Sequence, residues 1–309
     1  HQMTLFLLPF LGTASILASA PGSAEPPRVE HLVIIGVDGL GPEGIRRAET
    51  PAIDTLMARG SWSFQARGVM PTSSSPNWAS MIMGAGPEQH GVTSNSWEPD
   101  AFEIAPTVVG PDGRFPTIFS LLRQQRPDSR IAVIYDWGGF GRLLNLNDTD
   151  LAIDAEGPEA ATQAAEQALL GEHPPTLLFL HLDHVDHELH GHGFLSDPYL
   201  EAVSQADQFI ARIIAAIDRA GLTDQTSLLV TSDHGGQGTR HGGSTRDELL
   251  IPWILAGPGI RSGVELSQPI NTFDTAATAS ALLGLEPPDC WIARPVTEAF
   301  SSQNPSEAR

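Results

Sequence analysis

The sequence predicts an α/β layered fold, with helices on both faces of a mostly parallel central sheet. Three observations carry this reading. Apolar runs of strand length recur without polar alternation, helix-forming segments lie between them, and acids stand where several runs end.

The runs are HLVIIGV (31–37), RIAVIYD (130–136), TLLFLHL (176–182), SLLVT (227–231) and IPWILAG (251–257). A strand buried on both faces needs apolar side chains on both, so continuous runs suit a parallel sheet. The intervening segments have helix punctuation. TPAIDTLMARG (50–60) offers Thr50 as N-cap, Pro51 in the first turn and Gly60 as a stop. PTIFSLLRQQ (116–125) is similar. GPEAATQAAEQALLG (157–171), the segment 196–221 and FDTAATASALLG (273–284) each end in glycine. Strands alternating with helices give the layered class.

The chain has 309 residues, 41% of them hydrophobic, which is enough for a real core. Its formal net charge of −20 repels nucleic-acid backbones, so no sequence-independent nucleic-acid binding is expected. Small phosphate esters remain open, because a bound metal can dominate the local field. The single cysteine, Cys290, excludes an internal disulfide and a cysteine zinc cluster. Leu5 to Ala20 form an apolar stretch followed by small residues, although no Lys or Arg precedes it. This resembles a secretory signal peptide over residues 1–24. At about 16 residues the stretch is short for a membrane span. The expectation is an exported protein with no span once that segment is removed. A single domain over 27–300 and a mobile tail over 301–309 complete the organisation.

Ligands of open α/β sheets bind beyond the carboxyl ends of the strands. Asp38 follows the first run. TSDHGG (231–236) follows the fourth, with Asp233 and His234 adjacent and His241 seven residues beyond His234. Carboxylate beside imidazole suits zinc or manganese. The third run leads into LFLHLDHVDHELHGHG (178–193), which holds two Asp-x-x-x-His pairs, Asp183/His187 and Asp186/His190. Spacing alone does not choose between them. In MPTSSSPNWASMIMGAGPEQHGV (70–92), four hydroxyl residues, Thr72 to Ser75, precede a helix start at Pro76. A helix N-terminus attracts phosphate, and a hydroxyl held there against a metal becomes a nucleophile. Together these residues are enough for two metals.

These pieces, taken in order, resemble the alkaline phosphatase superfamily, and most closely its type I phosphodiesterase/nucleotide pyrophosphatase branch. VIIGVDGL, MPTSSSPNWASMIMGAGPEQHGV, DHVDHELHGHG, TSDHGG and RHGG fall in the family's order between about His31 and Ile260. The resemblance implies an alkaline-phosphatase-like fold and two divalent ions, most simply Zn2+. One would sit on Asp186, His190 and His241, the other on Asp38, Asp233, His234 and the Ser74 oxygen. It implies Ser74 as nucleophile and Asn77 as a contact to the phosphoryl oxygens. His181, His184, His187 and His192 would then be supporting or solvated. The implied activity is hydrolysis of a small phosphodiester or nucleotide pyrophosphate through a phosphoserine.

Alternatives within the superfamily are a phosphomonoesterase or a sulfatase. Sulfatases carry Cys or Ser, then x-Pro-x-Arg; here Trp78 stands where the arginine would be. Outside it, an exported metal-binding protein would use the His-rich stretch and need no serine. Trp97, Trp137 and Phe140 are candidate walls for a substrate, or else packing.

Overall fold

In the computed structural model, which describes residues 26–301, eight strands form one sheet in the order β4-β3-β5-β1-β6-β7-β2-β8. In chain order they are β1 (His31–Val37), β2 (Ser61–Arg67), β3 (Ile131–Tyr135), β4 (Leu151–Asp154), β5 (Leu177–Leu182), β6 (Thr226–Thr231), β7 (Leu250–Ala256) and β8 (Val264–Glu265). The signal-like segment 1–24 and all but the first residue of the expected tail lie outside the described residues.

β4, β3, β5, β1 and β6 form a parallel block. β7 runs antiparallel to both β6 and β2, and β8 pairs parallel with β2. All five apolar runs are strands. The three strands that the runs do not announce lie at the sheet margins. β4 reads LAID with alternating exposure, β8 has two residues, and β2 reads SWSFQAR with polar residues at its exposed positions. A margin strand keeps one side wet, so its sequence alternates.

Side chains alternate across the sheet, and each face has its own core. Leu32 and Ile34 of β1 join Val133, Phe179, Leu229 and Trp253 on one face. The helices Ser74–Met83, Ile118–Gln125 and Asp274–Leu283 cover that face. Val33, Ile35 and Val37 join Leu178, Leu180 and Val230 on the other. There the helices Pro51–Arg59, Pro158–Leu170 and Asp197–Arg219 pack. Thr50 occupies the N-cap of the first of these but makes no side-chain cap bond. Asp207, reaching across from the Asp197–Arg219 helix, accepts from the backbone N–H groups of Ala52 (3.0 Å) and Ile53 (2.8 Å) instead.

The order β5-β1-β6 matters most for chemistry. Val37 is paired with Leu182, and Gly36 with Thr231. The next residues along these strands, Asp38, Asp183 and the Ser232-Asp233-His234 turn, therefore emerge side by side at one edge.

Candidate active site

Asp38 leaves β1 completely buried. Gly39 follows in the left-handed region (φ 71°), and a Cβ there would lie 2.9 Å from the Asp186 Cα. Glycine at this position lets the Asp186 helix come close enough to share a site with Asp38. That helix, His184–His192, starts directly after β5 and Asp183. In the helix, Asp186 and His190 are i, i+4 neighbours, with His190 Nε2 3.2 Å from Asp186 Oδ2. The alternative pair is not brought together: Asp183 is half-buried near Asp38, whereas His187 points to solvent.

Asp233 and His234 follow β6 and are fully buried; His241 arrives on the loop beyond. Each of three histidines places its Nδ1 against a backbone carbonyl. His190 meets Thr239 O at 3.0 Å, His234 meets Gly235 O at 2.8 Å, and His241 meets Thr72 O at 2.9 Å. A carbonyl only accepts, so Nδ1 carries the hydrogen and Nε2 presents its lone pair inward. The inward atoms converge. His190 Nε2 is 3.0 Å from His241 Nε2, and His241 Nε2 is 3.7 Å from Asp186 Oδ1. His234 Nε2 is 3.1 Å from Asp233 Oδ2 and 3.4 Å from Asp38 Oδ1.

With the imidazoles neutral, these contacts join acceptor to acceptor. Asp38 Oδ1, Asp186 Oδ1 and Asp233 Oδ2 are buried without a hydrogen-bond partner. Among the described residues, no arginine pairs with any of the three acids, and the chain contains no lysine. Two donors about 2.0–2.2 Å from one tetrahedral zinc stand roughly 3.3 Å apart, close to the spacings above. Asp186, His190 and His241 form one group able to hold a cation, and Asp38, Asp186 and His234 form a second. The donor set fits divalent ions with a taste for imidazole and carboxylate.

The protein groups alone leave the site electrostatically uncomfortable. Burial, then the charge of Asp233, pushes the Asp38 carboxyl up to about 6. Burial, then the charge of Asp186, pushes Asp233 up to about 7. Burial holds His234 below its ordinary value, which favours the neutral ligand form. The hydrogen bond to Asp186 raises His190 to about 9.

Ser74 opens the Ser74–Met83 helix, with Ser73 at the N-cap. Its Oγ is 3.3 Å from His234 Nε2 and the residue is 4% exposed. Among Thr72 to Ser75 it is the residue whose hydroxyl meets a site histidine; the Thr72 hydroxyl bonds Gly243 O instead.

Asn77 requires a correction. It has no exposed surface, its Oδ1 accepts from Val69 N, and its Nδ2 donates to the carbonyls of Pro71 (3.1 Å) and Ser73 (2.9 Å). Both ends of the amide are committed to holding the loop before Ser74, so it is not available to a phosphoryl oxygen. Asn95 is an amide beside the same helix start. Its Oδ1 accepts from Ser75 N at 2.8 Å, and its Nδ2 makes no hydrogen bond among the described residues. Nothing in TSNSW marks it, because only the tertiary fold brings residue 95 to the helix start.

His181 is a second residue whose role the sequence understates. It is fully buried at the end of β5, with Nε2 3.3 Å from Asp38 Oδ2 and Nδ1 3.5 Å from Asp136 Oδ1. Trp78 Nε1 donates to the same Asp38 Oδ2 at 2.9 Å. Gly36 makes room for it: a Cβ there would lie 2.5 Å from the Trp78 ring. One Asp38 oxygen is thereby pinned twice while the other faces the site. Burial opposes charge on His181, but the carboxylates of Asp136 and Asp38 beside its two ring nitrogens prevail and raise it to about 10. His184 bonds Ala202 O on a neighbouring helix, and His192 pairs with Glu188 at the surface. Phe140 and Trp97 are buried in the core, and Trp137 stacks on His181, so these rings are packing.

A family model for type I phosphodiesterase / nucleotide pyrophosphatase matches residues 32–250. The chain belongs to that family. The match takes in every member of the two His/Asp groups and Ser74. Ectonucleotide pyrophosphatase/phosphodiesterase 1 of Saccharomyces cerevisiae is 23% identical over 250 residues, covering 66% of this chain and 33% of that protein. Steryl-sulfatase of Rattus norvegicus is 29% identical over 153 residues, covering 41% of this chain and 26% of that protein. This family member thus spans about a quarter to a third of the length of those curated relatives. The solved structure of murine ectonucleotide pyrophosphatase / phosphodiesterase 5 in complex with AMP superposes with a TM-score of 0.74 at 15% identity. It covers 88% of this chain and 100% of that one, and the likeness is one of fold. Among the described residues no helix is long and apolar enough to cross a membrane.

Proposed function

We propose that this chain is an exported, zinc-dependent hydrolase of small phosphodiesters or nucleotide pyrophosphates, acting through a phosphoserine at Ser74. The observation that carries the proposal is the convergence of one buried hydroxyl with two His/Asp groups that share Asp186. Asp186, His190 and His241 would hold one ion; Asp38, Asp233 and His234 would hold the other beside Ser74. Bound there, divalent ions supply Lewis acidity, lowering the pKa of a coordinated hydroxyl and offsetting phosphoryl charge.

The residues divide the remaining work. Ser74 Oγ attacks phosphorus, the P–O bond to the alcohol or phosphate leaving group breaks, and water later cleaves the phosphoserine. Asn95 donates its amide hydrogens to a non-bridging oxygen, and the helix N-terminus adds its dipole. Trp78 and His181 fix the orientation of Asp38. Three neutral imidazoles and three carboxylates favour zinc over calcium or magnesium, which prefer all-oxygen sets.

The sulfatase reading has one supporting observation, the steryl-sulfatase relative. Against it, the residue four beyond Ser74 is Trp78, and that side chain is spent on Asp38. A direct assay separates the readings. Bis(p-nitrophenyl) phosphate should be cleaved, p-nitrophenyl sulfate should not, and chelator should abolish the activity until zinc is restored. Ser74→Ala should lower turnover by about 10³-fold or more while leaving zinc content intact. Unchanged turnover in that variant defeats the nucleophile assignment.

A further inference from the structure

We infer that Thr72 is a positioning residue that locks the nucleophile's loop and the His241 ligand into one register; the inference rests on the metal-dependent reading above. Thr72 is completely buried, and all its polar atoms beyond the amide nitrogen go to one tripeptide. Its Oγ1 donates to Gly243 O at 2.8 Å and accepts from Gly242 N at 3.0 Å. Its carbonyl accepts from His241 Nδ1 at 2.9 Å. These bonds join segments about 170 residues apart in sequence.

Each segment is independently stiffened. On the nucleophile side, Asn77 bonds Val69, Pro71 and Ser73, so the loop that Thr72 belongs to is held from within. On the ligand side, Glu248 accepts from Gly243 N at 2.8 Å and from Thr245 N at 3.0 Å. Thr72 is the strut between two braced pieces. Through it, the direction of His241 Nε2 toward His190 and Asp186 is tied to the position of Ser74, two residues along the chain. The carbonyl bond also fixes the His241 tautomer, since Nδ1 must donate for Nε2 to remain a ligand. Without the hydroxyl, Gly242 N and Gly243 O lose their partner, and of the three bonds only the carbonyl bond to His241 Nδ1 is left to hold the His241 loop against the Ser74 loop.

Thr72→Val keeps the shape and removes the hydroxyl; Thr72→Ser keeps the hydroxyl. The test measures zinc per chain after dialysis, zinc affinity by competition with a chelating dye, and kcat and KM on bis(p-nitrophenyl) phosphate. Thr72→Val should weaken zinc binding by about 10–100-fold and lower kcat in parallel, with KM nearly unchanged. Thr72→Ser should restore both to within about twofold of the parent. A purely structural threonine would change melting temperature and leave zinc affinity alone. Parental zinc affinity in the valine variant, or equal loss in both variants, overturns the inference. Should the valine variant not fold, Thr72→Ala against Thr72→Ser gives the same decision. If the parent itself holds no zinc, the metal-dependent reading falls and takes this inference with it. If the parent holds zinc and the valine variant matches it, only the inference about Thr72 falls.

Discussion

The acids at the carboxyl edge of the sheet and the acids buried elsewhere differ in what their oxygens do. Asp207 caps the Pro51–Arg59 helix with both oxygens. Asp274 accepts from Asn271 N at 2.8 Å and Arg294 N at 2.9 Å. Glu248 collects the Gly243 and Thr245 N–H groups. All three are fully answered by the backbone. Asp38, Asp186 and Asp233 are as deeply buried, yet each keeps one oxygen unanswered and turned toward an imidazole nitrogen. Burial therefore does not distinguish a functional carboxylate from a structural one; the unanswered oxygen does. An uncompensated buried charge is costly, and its persistence in three places around one point implies a cation as the missing partner.

Replacing carboxylate by amide should break the two groups apart. The largest effect is expected for Asp233→Asn, with zinc content falling by one ion per chain and turnover falling about 10³-fold. The same change should raise the melting temperature of the metal-free protein at pH 8, because it removes a charge that burial and Asp186 disfavour. A lower melting temperature would mean that Asp233 stabilises the fold directly. His181→Gln should come next, weakening zinc binding by about 10–100-fold through the loosened Asp38, as read by dye competition. Unchanged affinity would reduce His181 to packing.

The metal-free protein provides a third separation. The carboxyls of Asp38 and Asp233 sit near 6 and 7 in the folded protein, against an ordinary value of 3.8. Both are raised, so the fold holds protons that the unfolded chain has released. Their contribution to stability is complete below about pH 4 and is lost as pH rises through 7. Thermal melts of chelated protein should show that decline, and zinc should remove it. A flat profile after chelation would contradict the clustered charge. The smallest effect belongs to Asp207→Asn, which should cost about 1–2 kcal/mol in denaturant unfolding and leave zinc content unchanged.

Much of this was legible in the sequence, for physical reasons. Strands covered on both sides must be apolar throughout, so β1, β3, β5, β6 and β7 stand out; β2, β4 and β8, at the margins, do not. Parallel β5, β1 and β6 lie side by side, so acids following those runs had to meet. The run's direction could not be read for β7, because an antiparallel strand covered on both faces looks the same. The helical state of His184–His192 was hidden by an apolar strand that leads into it without a break signal. Asn77 was misjudged, and Asn95 not weighed, for one reason. An amide's partners are set by the packed fold, and its position in a motif says nothing about which side it faces.

The ligand groups run from Asp38 to His241, and the Asp186 group closes only when residue 241 folds back beside residue 72. A nascent chain that has completed the His184–His192 helix owns Asp38, Asp186 and His190 but neither complete cradle. On the proposed two-ion reading, ion capture would be a late event in biogenesis, because a chain cut short before β6 would lack Asp233, His234 and His241.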